Sequence, residues 1–256
     1  STAGVGHVIE MGSSTILTLT EPVLRYSNLM TPTQPFAKTS TAVDLTATST
    51  HSRLAPMNPT SYGYVSGVPS NYDRNWTSEG CDLGCGPCAG GAVTKYWSDQ
   101  GYANLVPADG WQMLWRLNDI MDTNCNGWTY VPPDLGQEVL TYAQEQGYSD
   151  FSTQHLECGV SDWACHDEFT DEINSQRPAI LFFEKQTPEF HGVNHFVAGV
   201  GYSDNDVIVY DNAWRVGTDT YIQYGVNYDS IWVDTVVPPA GGTCPAPNLV
   251  SPSDGF

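Results

Sequence analysis

The sequence predicts an α+β fold in which helices and an antiparallel sheet form separate layers. From Gly86 to Gly101, apolar residues recur three and four positions apart, as on the buried face of a helix. After Pro178 the chain changes to short runs of β-branched and aromatic residues separated by turn residues, which is typical of strands. Because the helices come first and the strands last, alternating strand and helix units around a parallel sheet are not expected.

Each further element is predicted from a local pattern. Three more helices are expected over residues 109–121, 134–146 and 162–176, and each begins at an aspartate that can cap it. Five strands are expected over residues 179–183, 195–200, 207–210, 220–222 and 230–233. All five strands therefore lie in the C-terminal part of the chain.

The two ends of the chain differ in composition from its middle. Residues 1–68 are rich in Thr, Ser and Pro, with one β-like run at 14–20, and are predicted to form a loop-rich arm packed on the main domain, residues 69–237. Residues 238–256 begin with Pro-Pro-Ala-Gly-Gly and are predicted to be a linker or tail that leads to another module. No run of about 18 apolar residues occurs, so no membrane span is expected.

The charge balance excludes one class of partner. The 256 residues carry 9 Lys and Arg against 29 Asp and Glu, a formal net charge of -20. A basic face that neutralises nucleic-acid phosphates is therefore not expected. The composition suits a secreted, extracellular protein that its acidic surface keeps in solution, and a monomer is expected.

The cysteines indicate an oxidising compartment and one thiol kept for chemistry. The chain contains 7 Cys, and an odd number in a secreted protein predicts three disulfides and one reactive thiol. Cys158 and Cys165 lie close together beside a helix start, which predicts a short disulfide loop. Cys125 and Cys244 are expected to pair with the remaining two, in an order that the sequence leaves open. Those two are Cys81 and Cys88.

Two groups of residues have side chains that can bind metal. One is Cys81, Cys85 and Cys88, and the other is His155, Cys158, Cys165 and His166. Disulfides are the more common state of cysteines outside reducing compartments, so zinc is the less favoured interpretation of both groups. Neither a metal nor a cofactor is expected.

One constellation has the residue types needed for nucleophilic catalysis. Cys85 precedes the first helix, where free N–H groups and the positive helix end lower the pKa of a thiol. His195 opens a later strand and can take the thiol proton, and Asn212 follows the next strand and can hold the imidazole. Asp211 competes with Asn212 for that last role, because alternation along a strand points only one of them at the ring. His191 is a rival base.

The motifs around these residues resemble those of a known family. They are Gly84-Cys85-Gly86-Pro87-Cys88-Ala89, Tyr96-Trp97, His195-Phe196-Val197-Ala198-Gly199-Val200-Gly201-Tyr202 and Asn212-Ala213-Trp214. Together they resemble the secreted bacterial branch of the papain-fold (clan CA) cysteine peptidases, related to the double-glycine-leader peptidases. The resemblance covers about residues 69–235. It implies a helical half, carrying the nucleophile at the start of a helix, packed on a twisted antiparallel sheet.

The resemblance also implies a role for each residue. Cys85 is expected to be the nucleophile, His195 the general base and acid, and Asn212 the residue that orients the imidazole, with Trp214 shielding that contact. The implied activity is that of a secreted bacterial cysteine endopeptidase that acts on polypeptides through a thioester. An acyltransferase or transglutaminase-like enzyme would use the same residues. A catalytically silent adhesion or binding module of the same fold is the other alternative.

Two features depart from the family pattern. Family members usually place Gln before the cysteine to help bind the oxyanion, and this chain has Glu79 there, so Asn75 is the substitute candidate and Trp76 a candidate cleft wall. If Glu79 faces the cleft, its charge opposes the thiolate and favours an acidic pH optimum. Papains place the nucleophile last in Cys-Gly-Ser-Cys-Trp, so Cys88 is an alternative nucleophile.

Overall fold

The computed structural model describes residues 7–10, 16–19, 61–108, 110–130, 134–186 and 189–239. The chain divides into two units, Ser1–Thr41 and Ala42–Phe256. In the first unit, strands β1 (His7–Glu10) and β2 (Ile16–Leu19) pair antiparallel, and β2 confirms the strand expected at 14–20. Most of the predicted arm and tail lies outside the described residues.

The second unit contains a seven-stranded antiparallel sheet. Its strands are β3 (Tyr62–Tyr64), β6 (Ser152–Gly159), β7 (Ala179–Gln186), β8 (Val193–Ser203), β9 (Asp206–Tyr210), β10 (Asp219–Gln223) and β11 (Ser230–Val237). The spatial order is β10-β9-β8-β7-β11-β6, and β3 pairs with the end of β8 that β7 leaves unpaired. A separate small hairpin is formed by β4 (Thr77–Ser78) and β5 (Cys81–Asp82).

Four helices cover this sheet. They are α1 (Cys85–Asp99), α2 (Gly110–Ile120), α3 (Leu135–Glu145) and α4 (Ala164–Asn174), with a short 3-10 turn at Ala103–Leu105. Every residue of α1 from Cys85 through Thr94 is buried, because the helix contacts β7 and β8 on one side and α2 and α3 on the other. The first turn of α1 thus lies against the central strands of the sheet.

The predicted α+β class is confirmed, with the expected helices and strands present at slightly different ends. Asp134 caps α3 as expected, because its Oδ1 accepts the N–H of Gln137 at 2.9 Å. Strand β6 was not predicted from the sequence. It is a mostly polar strand at the sheet edge and lacks a run of β-branched or aromatic residues. Residues 61–68 were assigned to the arm, whereas β3 joins the sheet that carries the site.

The cysteine pairing is partly as expected. Cys158 and Cys165 form the predicted disulfide, and a second disulfide links Cys81 to Cys125. Cys88 is a free thiol, so the expectation that it pairs in a third disulfide is wrong. The two disulfides also remove thiol ligands from both zinc interpretations. Cys244 lies outside the described residues.

In the described part of the chain, no helix combines the length and apolar character needed to cross a bilayer.

Candidate active site

The nucleophile candidate lies at a tightly packed helix start. Cys85 is the first residue of α1, and the preceding Gly84 has φ +95°, a left-handed conformation that glycine adopts without strain. The N–H of Gly86 donates to Oγ1 of Thr129 at 3.1 Å, and a Cβ on Gly86 would lie 2.5 Å from the Thr129 side chain. Glycine on both sides of Cys85 therefore lets neighbouring loops close around the thiol.

His195 faces this thiol from strand β8. The side chain is fully buried, and its Nε2 lies 3.2 Å from Oδ1 of Asp211. The other ring nitrogen, Nδ1, is buried without a well-aligned hydrogen bond among the described residues. Because the imidazole and the Cys85 thiol interact, Nδ1 is the nitrogen left to exchange a proton with the sulfur. Trp214 packs edge-on to the ring, with centroids 5.1 Å apart.

The electrostatics favour an ion pair between the two groups. Burial alone would raise the pKa of Cys85, but His195, Arg74 and the backbone N–H of Phe196 lower it to about 6. Burial would likewise lower the pKa of His195, but Asp211 and the Cys85 thiol raise it above its usual value. Both shifts favour a thiolate paired with an imidazolium, which is the state needed for attack on a carbonyl.

Asp211, and not Asn212, contacts the imidazole. Its carboxylate also accepts the backbone N–H groups of Ala213 at 2.8 Å, Trp214 at 3.2 Å and Arg215 at 3.1 Å. Burial would raise the pKa of Asp211, but His195 and the N–H groups of Ala213 and Trp214 lower it. The carboxylate is thus held charged and fixed in one orientation. Asn212 was expected from the sequence to hold the imidazole, with Asp211 as the competing candidate.

Asn212 has a different set of partners. Its Nδ2 donates to the carbonyl oxygen of Cys85 at 3.2 Å and to that of Phe196 at 3.0 Å. The backbone carbonyl of Asn212 accepts the N–H of Arg74 at 2.8 Å. Asp211 and Asn212 both follow the end of β9, and their side chains have different partners, the imidazole for Asp211 and backbone carbonyls for Asn212. Asn212 joins the start of α1 to β8.

The other predicted cleft residues are not brought to the thiol by any described contact. Glu79 is exposed in the turn between β4 and β5. Asn75 is also exposed, and its N–H and Nδ2 both donate to Oδ1 of Asp73. Trp76 packs on Tyr72 and Trp111. Of the candidate cleft walls only Trp214, which is 41% exposed, lies on the site.

Arg74 is a residue of the site that the sequence analysis missed. Its carbonyl accepts the N–H of Gly84 at 3.0 Å, which places it beside the residue that precedes the nucleophile. Its guanidinium lies 5.7 Å from the centroid of the Trp128 ring, and its charge helps to lower the pKa of Cys85. The β4–β5 hairpin separates Arg74 from Cys85 in sequence, so no local pattern indicates that they meet.

Cys88, the alternative nucleophile, lies one helical turn beyond Cys85. It is 1% exposed, and burial together with the nearby Cys85 raises the pKa of its thiol well above the usual value. A thiol of this kind stays protonated at neutral pH. The two cysteines of the motif therefore differ in charge state.

A second histidine–aspartate group lies at the N-terminus of α3 and on strands β6 and β11. Nδ1 of His155 is 2.5 Å from Oδ1 of Asp234, and one ligand atom from each of these residues and Asp134 lies within 4.8 Å of the others. Two carboxylates and an imidazole are donors that Zn²⁺ accepts. When His155 is protonated, its positive charge offsets one of the two carboxylate charges.

Comparisons with known proteins find distant structural similarity. No protein-family model matches the chain, and no curated protein matches it. Among solved structures, one described as a C39-like peptidase from Bacillus anthracis has 12% identity and a TM-score of 0.40, covering 68% of this chain and 97% of that one. The Prevotella intermedia cysteine protease interpain A has 11% identity and a TM-score of 0.43, covering 70% and 98%.

A third similar structure is a double-glycine-motif protease from an AMS/PCAT transporter, in complex with its leader peptide. It has 14% identity and a TM-score of 0.37, covering 70% of this chain and 99% of that one. All three similarities are too distant to assign an activity.

Proposed function

We propose that this chain is a secreted cysteine peptidase in which Cys85 is the nucleophile, His195 the general base and acid, and Asp211 the residue that orients the imidazole. The observation that carries the proposal is the buried Cys85, His195 and Asp211 group, in which the thiol is acidified and the imidazole is held from its far side. The two disulfides support an extracellular location.

The reaction would proceed by acyl transfer to sulfur. The Cys85 thiolate attacks the peptide carbonyl carbon and forms a carbon–sulfur bond, and the protonated His195 gives its proton to the leaving amine as the carbon–nitrogen bond breaks. Water then attacks the thioester while His195 takes its proton. The carboxylic acid leaves and the thiolate with its imidazolium is restored.

The developing oxyanion needs donors close to Cys85. The backbone N–H of Cys85 belongs to the first turn of α1, where such groups have no partner within the helix. Arg74 supplies a positive charge beside the same turn. These two groups take the place of the missing Gln in the proposal, and Asn75 and Glu79 are set aside because both are exposed.

The proposal is tested by labelling and by product analysis. An iodoacetamide probe, added after incubation with reduced glutathione and its removal, should modify Cys85 in the parent and in Cys88→Ser, and should fail to label Cys85→Ser. Peptide cleavage in ¹⁸O-enriched water should place one heavy oxygen on the new carboxyl terminus. Transfer of the acyl group to an added amine would instead support the transferase alternative. Absence of both products, with Cys85 unlabelled, would identify a silent module.

A further inference from the structure

Two free thiols lie on one face of the same helix start. Cys85 and Cys88 are the first and fourth residues of α1, and both are free. Positions three apart on a helix are neighbours, with Cβ atoms about 5–6 Å apart. A disulfide needs Cβ atoms about 3.5–4.5 Å apart, so the pair is within about 1–2 Å of bonding geometry.

The first turn of α1 can tighten by this amount. The hydrogen bond from the N–H of Cys88 to the carbonyl of Gly84 is 3.4 Å long, beyond the usual range of about 2.7–3.2 Å. Gly84 and Gly86 flank Cys85 and have no side chains to resist a change of backbone angle. Pro87 has no N–H whose bond would be lost. The backbone hydrogen bond that closes this turn is therefore weak at the place where a disulfide would form.

The two thiols also differ in the way that a reactive and a resolving cysteine must differ. Cys85 retains 7% of its surface and is the sulfur that a solute reaches first, whereas Cys88 retains 1%. The lowered pKa of Cys85 makes it the attacking thiolate, and the raised pKa of Cys88 keeps that thiol protonated until its partner is modified.

We propose that Cys85 and Cys88 form a reversible disulfide, so that the start of α1 is a dithiol redox site that reacts with small disulfides. The site shares Cys85 with the proposed peptidase, whose activity it would switch off. Formation of the disulfide does not depend on peptide cleavage.

The reaction consists of two thiol–disulfide exchanges. The Cys85 thiolate attacks one sulfur of a small disulfide, forms a mixed disulfide and releases one thiolate, which takes the proton of the His195 imidazolium. Cys88 then attacks the Cys85 sulfur, the internal disulfide forms, and the second thiolate leaves with the Cys88 proton. Two electrons pass from the cysteine pair to the small disulfide, which becomes two thiols. Once Cys85 is bonded to Cys88 its sulfur is no longer a nucleophile for a carbonyl.

The two other disulfides described in the chain indicate the redox environment in which this site would work. An environment that oxidises Cys81 with Cys125 and Cys158 with Cys165 also contains oxidants for a third pair. The peptidase would be latent there and would become active where small thiols are present.

The experiment uses oxidised glutathione and a peptide map. The parent and Cys88→Ser are incubated with it under native conditions, quenched with acid, alkylated in denaturant and digested without reduction. In the parent, the peptide that contains both residues should be two hydrogen atoms lighter and should resist alkylation. In Cys88→Ser, a glutathione adduct should accumulate on Cys85. Cys88→Ala is a second variant in case a buried hydroxyl disturbs folding.

Several outcomes would overturn the proposal. They are a stable glutathione adduct in the parent, alkylation of both thiols in the parent, or a link between Cys88 and Cys244. The map distinguishes this proposal from the proposed function, because it requires no substrate. If the disulfide forms in a chain that cleaves no peptide, the redox site stands and the peptidase does not. If the reduced chain cleaves peptides, oxidation should abolish the cleavage. Reduced glutathione should then restore it at the rate at which the disulfide disappears.

Discussion

The seven-stranded sheet carries two histidine–aspartate pairs whose surroundings differ. His195 on β8 contacts Asp211, and His155 on β6 contacts Asp234 on β11. Asp211 accepts three backbone N–H groups, and the pKa of its carboxyl is lowered despite burial. For Asp234, burial and the neighbouring Asp134 raise the pKa to about 6, against the effect of His155.

The comparison shows what turns such a pair into a catalytic candidate. Both imidazoles have a raised pKa and both contact a buried carboxylate. At His195 the far ring nitrogen faces a thiol that α1 brings to the sheet. At His155 the ring packs edge-on to Trp232, and the partner group is a second carboxylate. The presence of a neighbouring thiol, and not the pair itself, distinguishes the two sites.

The largest expected effect separates the two histidines by activity. His195→Ala removes the base and should lower kcat/KM by about ten-thousandfold. His155→Gln, the matched control in the same sheet, should leave kcat/KM within about twofold. Steady-state cleavage of a fluorogenic peptide measures both. Comparable losses in the two variants would show that the pairs are not functionally distinct.

The next largest effect separates Asp211 from Asn212. Asp211→Asn should lower kcat by about a thousandfold, because the imidazolium loses its charged partner. The same change lowers the pKa of His195, so the alkaline limb of the pH–rate profile should move to lower pH.

Asn212→Ala is the matched control for this variant. It should leave both limbs of the profile in place and should lower the melting temperature, because the backbone carbonyls of Cys85 and Phe196 lose a donor. If the alkaline limb shifts in Asn212→Ala and not in Asp211→Asn, then Asn212 is the residue that orients the imidazole.

His155→Gln should destabilise the fold by about 3 kcal/mol, because it leaves the buried Asp234 without a cationic partner. The folded pKa of Asp234 lies above its unfolded value, so the folded state binds that proton more tightly and stability falls as pH rises through about 6. Urea unfolding at about pH 5 and pH 6.5 should therefore show the larger loss at pH 6.5, where Asp234 is ionised and the raised pKa of His155 keeps its imidazole cationic. Asp234→Asn in the same chain should recover most of it, and an equal loss at both pH values would contradict the ion-pair explanation.

The smallest expected effect concerns the charge beside the thiol. Arg74→Met removes one of the influences that lower the pKa of Cys85, so the acid limb of the pH–rate profile should move upward from about 6. The rate at pH 6 should fall by about threefold, with a smaller loss at pH 7.5. Arg215→Met serves as a control, because Arg215 is not among the groups that act on Cys85. An unchanged acid limb would show that Arg74 does not influence the pKa of Cys85.

Much of the fold was predictable because it depends on local pattern. The helical period predicted all four helices, and Asp134 caps α3 as its position indicates. The strands after Pro178 were predicted from β-branched runs. β6 was not predicted, because an edge strand with polar residues owes its pairing to the neighbour β11 and not to its own composition.

The sequence by itself determined the order of elements and the residue types of the site: a cysteine at a helix start, a histidine on a strand, and an acid and an amide side by side after the next strand. Only the tertiary structure decided which of the last two faces the ring, because both follow the end of β9 and their partners, the ring of His195 and the carbonyls of Cys85 and Phe196, come from other elements. It also placed Arg74 beside the nucleophile and left Cys88 free. These depend on contacts between residues distant in sequence, which local composition does not encode.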